Sequence, residues 1–309
     1  MSYHFVEVSA PQSRLWLKDR QLRFEQSDKA TRTLPLEDIA GIIVTSPDCT
    51  IHNSLLSACG QISVPLIVLC NRYRPTSVLV PSNRATDTGL MRACLSAKKN
   101  LLKNFWQKTI TAKIRNQATL LWHLEVFPNS CSKLHSFAMG SLPGREARAA
   151  KLYWTHWSSS QKVFRRARKA RGMNSVLNYG YAVLTTAVTQ RLLAIGLDPV
   201  LGFGHRPRER CLALAYDVIE PFRILVDRVA CTMRDRLGDI VAADGTISSK
   251  DAKREIISSI TSPLNAFGIK STGLQLIETT VSSLRRAFLA GDESLYHPWI
   301  LTSTKWAGS

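Results

Sequence analysis

Proline is missing from Thr88 to Trp122, and within that stretch Leu90, Cys94, Leu101, Phe105, Ile110, Ile114, Ala118 and Leu121 recur at three, four or small multiples of those steps. Only a helix gathers such a series on one side, so a long amphipathic helix is expected there. Before Pro81 the period differs. Phe5 to Val8, Leu15 to Phe24, Ile39 to Val44, Ile62 to Leu69 and Ser77 to Val80 are short runs rich in branched and aromatic residues, parted by turn formers such as Ser46-Pro47-Asp48. Leu15 and Leu17 alternate with polar residues before Lys18 to Gln21, and Leu22 and Phe24 alternate after it, the pattern of a hairpin with one solvated face. One helix is expected among these strands, at Asn53 to Gly60.

The change of period implies an α+β chain: a small N-terminal β-rich domain over 1–81, a linker over 82–87, and a larger all-α domain over 88–309. Further helical patterns run from Arg145 to Trp157, Asn174 to Ile195, Tyr216 to Leu237, Ser248 to Ile260 and Gly273 to Leu289. Between them lie a Gly-Pro-Gly turn at 140–144, a basic loop from Arg165 to Gly172, and a glycine-rich loop from Gly196 to Pro207.

Lys and Arg total 41 against 23 Asp and Glu, a formal charge of +18. Such an excess concentrates polyanions near the surface, and nucleic acid is the commonest one that a basic protein meets. Lys98, Lys99, Lys103, Lys108, Lys113 and Arg115 fall on the polar side of the long helix and together read as a positive stripe; each by itself reads as a solvated lysine face. Seven cysteines, at 49, 59, 70, 94, 131, 211 and 231, form no close pair, which argues against a thiolate zinc site or a redox dithiol and for buried small residues in a reducing compartment. The N-terminus lacks a basic start followed by an apolar stretch, and no run approaches the ~18 apolar residues of a membrane span. No membrane partner and a cytoplasmic location are expected.

Acidic residues are scarce, so those beside basic or glycine-rich segments stand out as ligand candidates. Glu146 follows a Pro-Gly turn and opens a helix amid Arg145, Arg148 and Lys151; as an ordinary first-turn glutamate it would also be stabilised by the helix dipole. His205 follows Gly202 and Gly204, which leave room for a substrate backbone, although a lone histidine is as readily structural. Asp217 and Glu220 are three apart on one helical face; they also fit an N-cap and its capping-box partner, with Pro221 in the first turn. Two carboxylates and an imidazole suit Mg2+ or Mn2+, ions able to bridge a scissile phosphate. Spacing alone does not bring the three places together.

Four segments, GREARAAKLYW at 144–154, NSVLNYGYAVL at 174–184, GLDPVLGFGHR at 196–206 and LAYDVIEPFRILVDR at 214–228, resemble in order and separation the CRISPR adaptation integrase, the first of the numbered Cas proteins, most closely its type II form. The resemblance extends more loosely over nearly the whole chain. It implies a homodimer, through the β-rich domain, of a metal-dependent DNA endonuclease and integrase that works with the second numbered Cas protein. Such an enzyme inserts short fragments of foreign double-stranded DNA into the CRISPR array by attack of a fragment 3′-hydroxyl on a repeat phosphodiester. Its metal ligands and catalytic residues fall on Glu146, His205 and Glu220, with Asp217 at a nearby acidic position of less defined role. Asn178 and Tyr179 read as packing and site support. DNA contacts are expected from Arg145, Arg148, Arg165, Arg166, Arg168, Lys169 and Arg206. The competing readings are a non-catalytic basic DNA-binding or architectural protein, and a nuclease that cuts without joining.

Overall fold

The computed structural model describes residues 4–26, 30–62, 64–70, 73, 75–79, 87–124, 128–140, 144–157, 164, 166–167, 170–205 and 212–302. Arg165, Arg168, Lys169, Arg206, Cys211 and residues 82–86 of the expected linker lie outside them.

The N-terminal part holds β1 (His4–Val8), β2 (Arg14–Lys18), β3 (Gln21–Glu25), β4 (Arg32–Pro35), β5 (Ile39–Val44), β6 (Thr50–Ile51), β7 (Leu66–Leu69) and β8 (Pro75–Leu79), with α1 (Asn53–Gln61) before β7. They make two four-stranded sheets, ordered β1-β5-β7-β8 and β4-β3-β2-β6. The expected hairpin pairs Leu15 with Phe24 and Leu17 with Leu22. Asp19 and Arg20 turn it at φ 52° and 58°, the left-handed conformation that a two-residue hairpin loop requires. β4 and β6, absent from the sequence reading, are respectively an edge strand of mostly exposed residues and a two-residue piece.

β5 is buried at every position, as its unbroken apolar run demands of a strand covered on both faces. Ile42 and Val44 face a core shared with Val8, Leu15, Leu22, Leu55 and Cys59. Ile43, with Phe5, Ile67 and Leu69, belongs to the larger core of the helical part. A polar lock crosses this seam. Glu7 on β1 accepts from Lys253 at 2.6 Å and from the Tyr179 hydroxyl at 2.9 Å, and the Tyr73 hydroxyl accepts from the Ile247 amide at 2.7 Å.

The helical part comprises α2 (Thr88–Leu95), α3 (Lys99–His123), α4 (Pro128–Met139), α5 (Arg145–Trp157), α6 (Met173–Ala194), α7 (Ala213–Ile219), α8 (Arg223–Thr232), α9 (Leu237–Ile240), α10 (Lys250–Thr261) and α11 (Gly273–Ala290). α6 is buried all round from Met173 to Thr189 except at Asn178 and forms the hub. Two expected helices are in fact broken. The stretch from Thr88 to Trp122 divides where the Ser96 hydroxyl bonds the Arg92 carbonyl and Lys98 turns extended. The stretch from Tyr216 to Leu237 is interrupted by a 3-10 turn at Glu220–Phe222, because Pro221 has no amide hydrogen to continue an α-helix. No described helix is long and apolar enough to cross a membrane.

The 3-10 turn is braced from behind. Asn116 on α3 donates to the carbonyls of Pro221 at 2.8 Å and Trp299 at 3.1 Å and accepts from the Leu301 amide at 2.7 Å, while Trp299 stacks on Phe222 with ring centroids 5.3 Å apart.

Candidate active site

Glu146 stands in the first turn of α5, and Glu220 opens the 3-10 turn between α7 and α8. Lys113 of α3 brings them together. Its ammonium donates to Glu146 Oε1 at 2.8 Å and lies 2.8 Å from Glu220 Oε2. The second approach is an ion pair with a buried carboxylate oxygen, less well aligned than the first. Arg223, a turn further on, donates to Glu220 Oε1 at 2.9 Å, and its guanidinium stacks over the Tyr181 ring at 4.3 Å.

Burial alone would push the Glu220 carboxyl upward. The Arg223 guanidinium and the Lys113 ammonium more than reverse this and hold it well below the usual carboxylate range. The same attraction acts on the cations: burial disfavours charge on Lys113, yet Glu220 and Glu146 raise its pKa above the ordinary lysine value.

His205 is positioned by Asp217, one helical turn before Glu220. The Asp217 carboxylate is fully buried and accepts from the amides of Phe203 at 2.6 Å, Gly204 at 2.8 Å and His205 at 2.9 Å. His205 Nδ1 lies 2.6 Å from Asp217 Oδ1. An ionised carboxylate only accepts, so Nδ1 carries a proton toward Asp217, which leaves Nε2 as the nitrogen that a neutral imidazole offers to a ligand. Trp106 and Tyr216 flank the imidazole at 5.4 and 6.3 Å between centroids. The glycines are steric necessities here: a Cβ on Gly204 would stand 2.0 Å from Trp106 Cε3, and one on Gly202 would stand 2.9 Å from Asp217 Oδ2. Asp217 is therefore a brace for the 203–205 loop within α7, and the capping-box reading of Asp217 and Glu220 does not hold.

The sequence candidates thus form two arms on consecutive turns, Glu146 with Glu220 around Lys113 and His205 with Asp217. Among the described residues no three His, Cys, Asp or Glu side chains stand assembled as a ready metal cluster. Lys113 and Arg223 were missed. Lys113 counted among the solvated lysines, yet only 12% of its side chain is exposed. Lys108 also turns inward, to the carbonyls of Ser294 and Tyr296, which leaves Lys98, Lys99 and Lys103 as the exposed part of the expected stripe.

The basic candidates separate similarly. Arg145, expected at DNA, is instead buried and binds the carbonyls of Ala138, Gly140 and Gln107, so that it clamps the approach to α5. Arg148 is exposed with its guanidinium over the Phe137 ring, and Arg166 donates to Asn174 and Asn178.

A family model described as CRISPR associated protein Cas1 matches residues 6–238. The chain is 33% identical over 221 residues to the CRISPR-associated endonuclease Cas1 of Neisseria meningitidis serogroup C (strain 8013), covering 69% of this chain and 70% of that one. Solved structures share the fold at low identity. A Cas1 protein from Thermotoga maritima aligns with TM-score 0.78 and 18% identity over 97% of this chain and 99% of its own. A casposase bound to its integration product aligns with TM-score 0.73 and 19% identity over 99% and 97%. A chain of a Cas6-RT-Cas1–Cas2 complex aligns with TM-score 0.75 and 18% identity over 96% of this chain and 36% of that one. With three quarters of its length inside the family model and that α+β architecture throughout, the chain belongs to the Cas1 family of CRISPR-associated endonucleases.

Proposed function

We propose that the chain is a divalent-metal-dependent DNA endonuclease and integrase of CRISPR adaptation, joining the 3′-hydroxyl of a short double-stranded fragment to a phosphodiester of the CRISPR repeat. The observation that carries this reading is the convergence of Glu146 and Glu220 on one cation, with His205 held by Asp217 one turn before Glu220. The donor set fits Mg2+ or Mn2+: two carboxylates and an imidazole whose Nδ1 is taken by Asp217 are hard or borderline ligands, and Glu220 Oε2 is a buried carboxylate oxygen whose close contact is a displaceable ammonium. Such an ion, when bound, supplies Lewis-acid polarisation of the target phosphate and charge stabilisation of the departing 3′ oxygen.

The remaining work falls to the chain. Arg223 keeps Glu220 ionised in a buried place, and Asp217 fixes the His205 tautomer and orientation in the manner of an outer-shell carboxylate. Exposed Lys98, Lys99, Lys103 and Arg148 supply positive charge for the DNA backbone. Arg165, Arg168, Lys169 and Arg206 remain candidates for the same task. The resemblance of the fold to a Cas1 within a Cas1–Cas2 assembly supports the second numbered Cas protein as a partner, and the β-rich part is proposed as the homodimer contact. No membrane is required.

Glu146→Ala and His205→Ala test the site. Each should lower strand joining of a 3′-hydroxyl duplex into a plasmid by about a thousandfold or more, with duplex binding largely retained. Full joining by both variants would overturn the assignment, and chelator-insensitive binding with no joining in Mg2+ or Mn2+ would favour a purely architectural protein.

A further inference from the structure

The one feature of the site that the reaction leaves unexplained is Lys113, an ammonium standing between the two carboxylates assigned to the metal. Resting on the function proposed above, we propose that Lys113 is the resident counter-cation of the site: it fills the place between Glu146 and Glu220 until a divalent ion displaces it, and so sets the metal concentration at which the site loads.

Charge balance is the first support. Glu146 and Glu220 are opposed by Lys113 and Arg223, so the cluster is formally neutral. A divalent ion added without any departure would leave two uncompensated positive charges beside Glu220, whose side chain is only 4% exposed, and burying unpaired charge is costly. Withdrawal of one of the two cations halves that excess. Arg223 is pinned, bonded to Glu220 Oε1 and stacked on Tyr181. Lys113 has a flexible four-carbon stem and no ring stacked on it, and its ammonium is shared between the two carboxylates among the described residues. An exit exists on one side: the Glu146 side chain is 39% exposed, whereas Lys113 and Glu220 are 12% and 4% exposed. The ammonium therefore has a path along Glu146 to solvent.

Without the lysine, two carboxylates would face each other across a largely buried gap. The ammonium holds the two carboxylates together while no metal is bound, at the cost of competing with the metal.

Binding of Mn2+ to the full chain without DNA, followed by calorimetry, tests this. Lys113→Met should bind Mn2+ roughly tenfold more tightly than the unsubstituted chain, because a competing charge has gone. Its metal-free melting temperature should fall and recover on adding Mn2+. Lys113→Arg, which retains the charge, should bind as weakly as the unsubstituted chain. Equal or weaker binding by Lys113→Met overturns the proposal.

Should Lys113→Met fail to fold, lysine Nζ NMR of the unsubstituted chain decides. A protected ammonium signal, absent from Lys113→Arg, should move to the position of solvated lysines on adding Mg2+; a signal unmoved by saturating Mg2+ is contrary. Glu146→Gln separates the two levels of argument. If it does not weaken Mn2+ uptake, the ligand assignment itself falls. If it does while Lys113→Met changes nothing, only the role of Lys113 falls.

Discussion

Glu220 and Asp227 lie two helical turns apart in one segment, both buried, at 3% and 0% exposure, yet the fold treats them oppositely. Around Glu220 it places two cations, and the carboxyl stays ionised far below its ordinary range despite burial. Around Asp227 it places phenols. Tyr153 donates to Oδ2 at 2.7 Å and Tyr181 donates to Oδ1. Burial dominates there and pushes the Asp227 carboxyl up to about 6, with the two hydroxyl bonds pulling back only in part. Depth therefore does not make a buried acid reactive; the sign of what it is buried against does. Glu220 is offered to a cation, and Asp227 ties α5, α6 and α8 together. Arg223 stands between them, bonded to Glu220 and stacked on the ring of Tyr181.

The contrast is broken most directly at that arginine. Arg223→Met should cost about 3–5 kcal/mol of unfolding free energy in denaturant titrations, because a buried carboxylate loses its aligned partner. A cost below about 1 kcal/mol would mean that Arg223 is not what keeps Glu220 ionised. Asp227 sharpens it through pH. Its folded pKa of about 6 exceeds the ordinary 3.8, so the folded chain holds a proton that the unfolded chain has released between those values. The stability it contributes is complete below about pH 4 and is lost as pH rises through about 6, up to roughly 3 kcal/mol. Unfolding free energies of Asp227→Asn against the unsubstituted chain, from pH 4 to 7, should show that slope removed. Glu220, with its depressed pKa, gives the opposite dependence, with stability present above about pH 4.5 and lost only at strongly acid pH. The smallest effect belongs to Tyr153→Phe, which removes one hydroxyl bond to Asp227 and should cost about 1 kcal/mol. It should also move the Asp227 transition to higher pH, since that bond favours the ionised form.

Much of this was legible in the sequence where local pattern dominates. The unbroken apolar run of β5, the alternation of Leu15 to Phe24 and the periodicity of α5, α10 and α11 each reflect the surface their own element buries. Glu146 and His205 stood out because a Pro-Gly turn or glycines adjoin them, and Asp217 and Glu220 by their three-residue spacing. The arrangement around them was hidden for tertiary reasons. Lys113 lies among the buried positions from Thr109 to Leu121, where α3 is covered nearly all round and no solvated side remains to carry an ordinary lysine. The one available signal was the lack of a clean polar face in that half of the helix, which a count of basic residues passes over. Asp217 and Glu220 had the spacing of a capping box, and only the fold of the 203–205 loop onto Asp217 tells a brace from a cap. Likewise the break at residues 96–98 leaves the apolar period almost intact, so periodicity alone ran through it.

The brace at Asn116 makes the site dependent on distant chain. The family match ends at residue 238, but the carbonyl of Trp299, the amide of Leu301 and the indole stacked on Phe222 all lie beyond it. A version trimmed to the matched region would keep every ligand candidate and lose the wall against which the Glu220 turn rests. Grafting experiments should accordingly move residues 297–301 together with 214–228, as one structural unit.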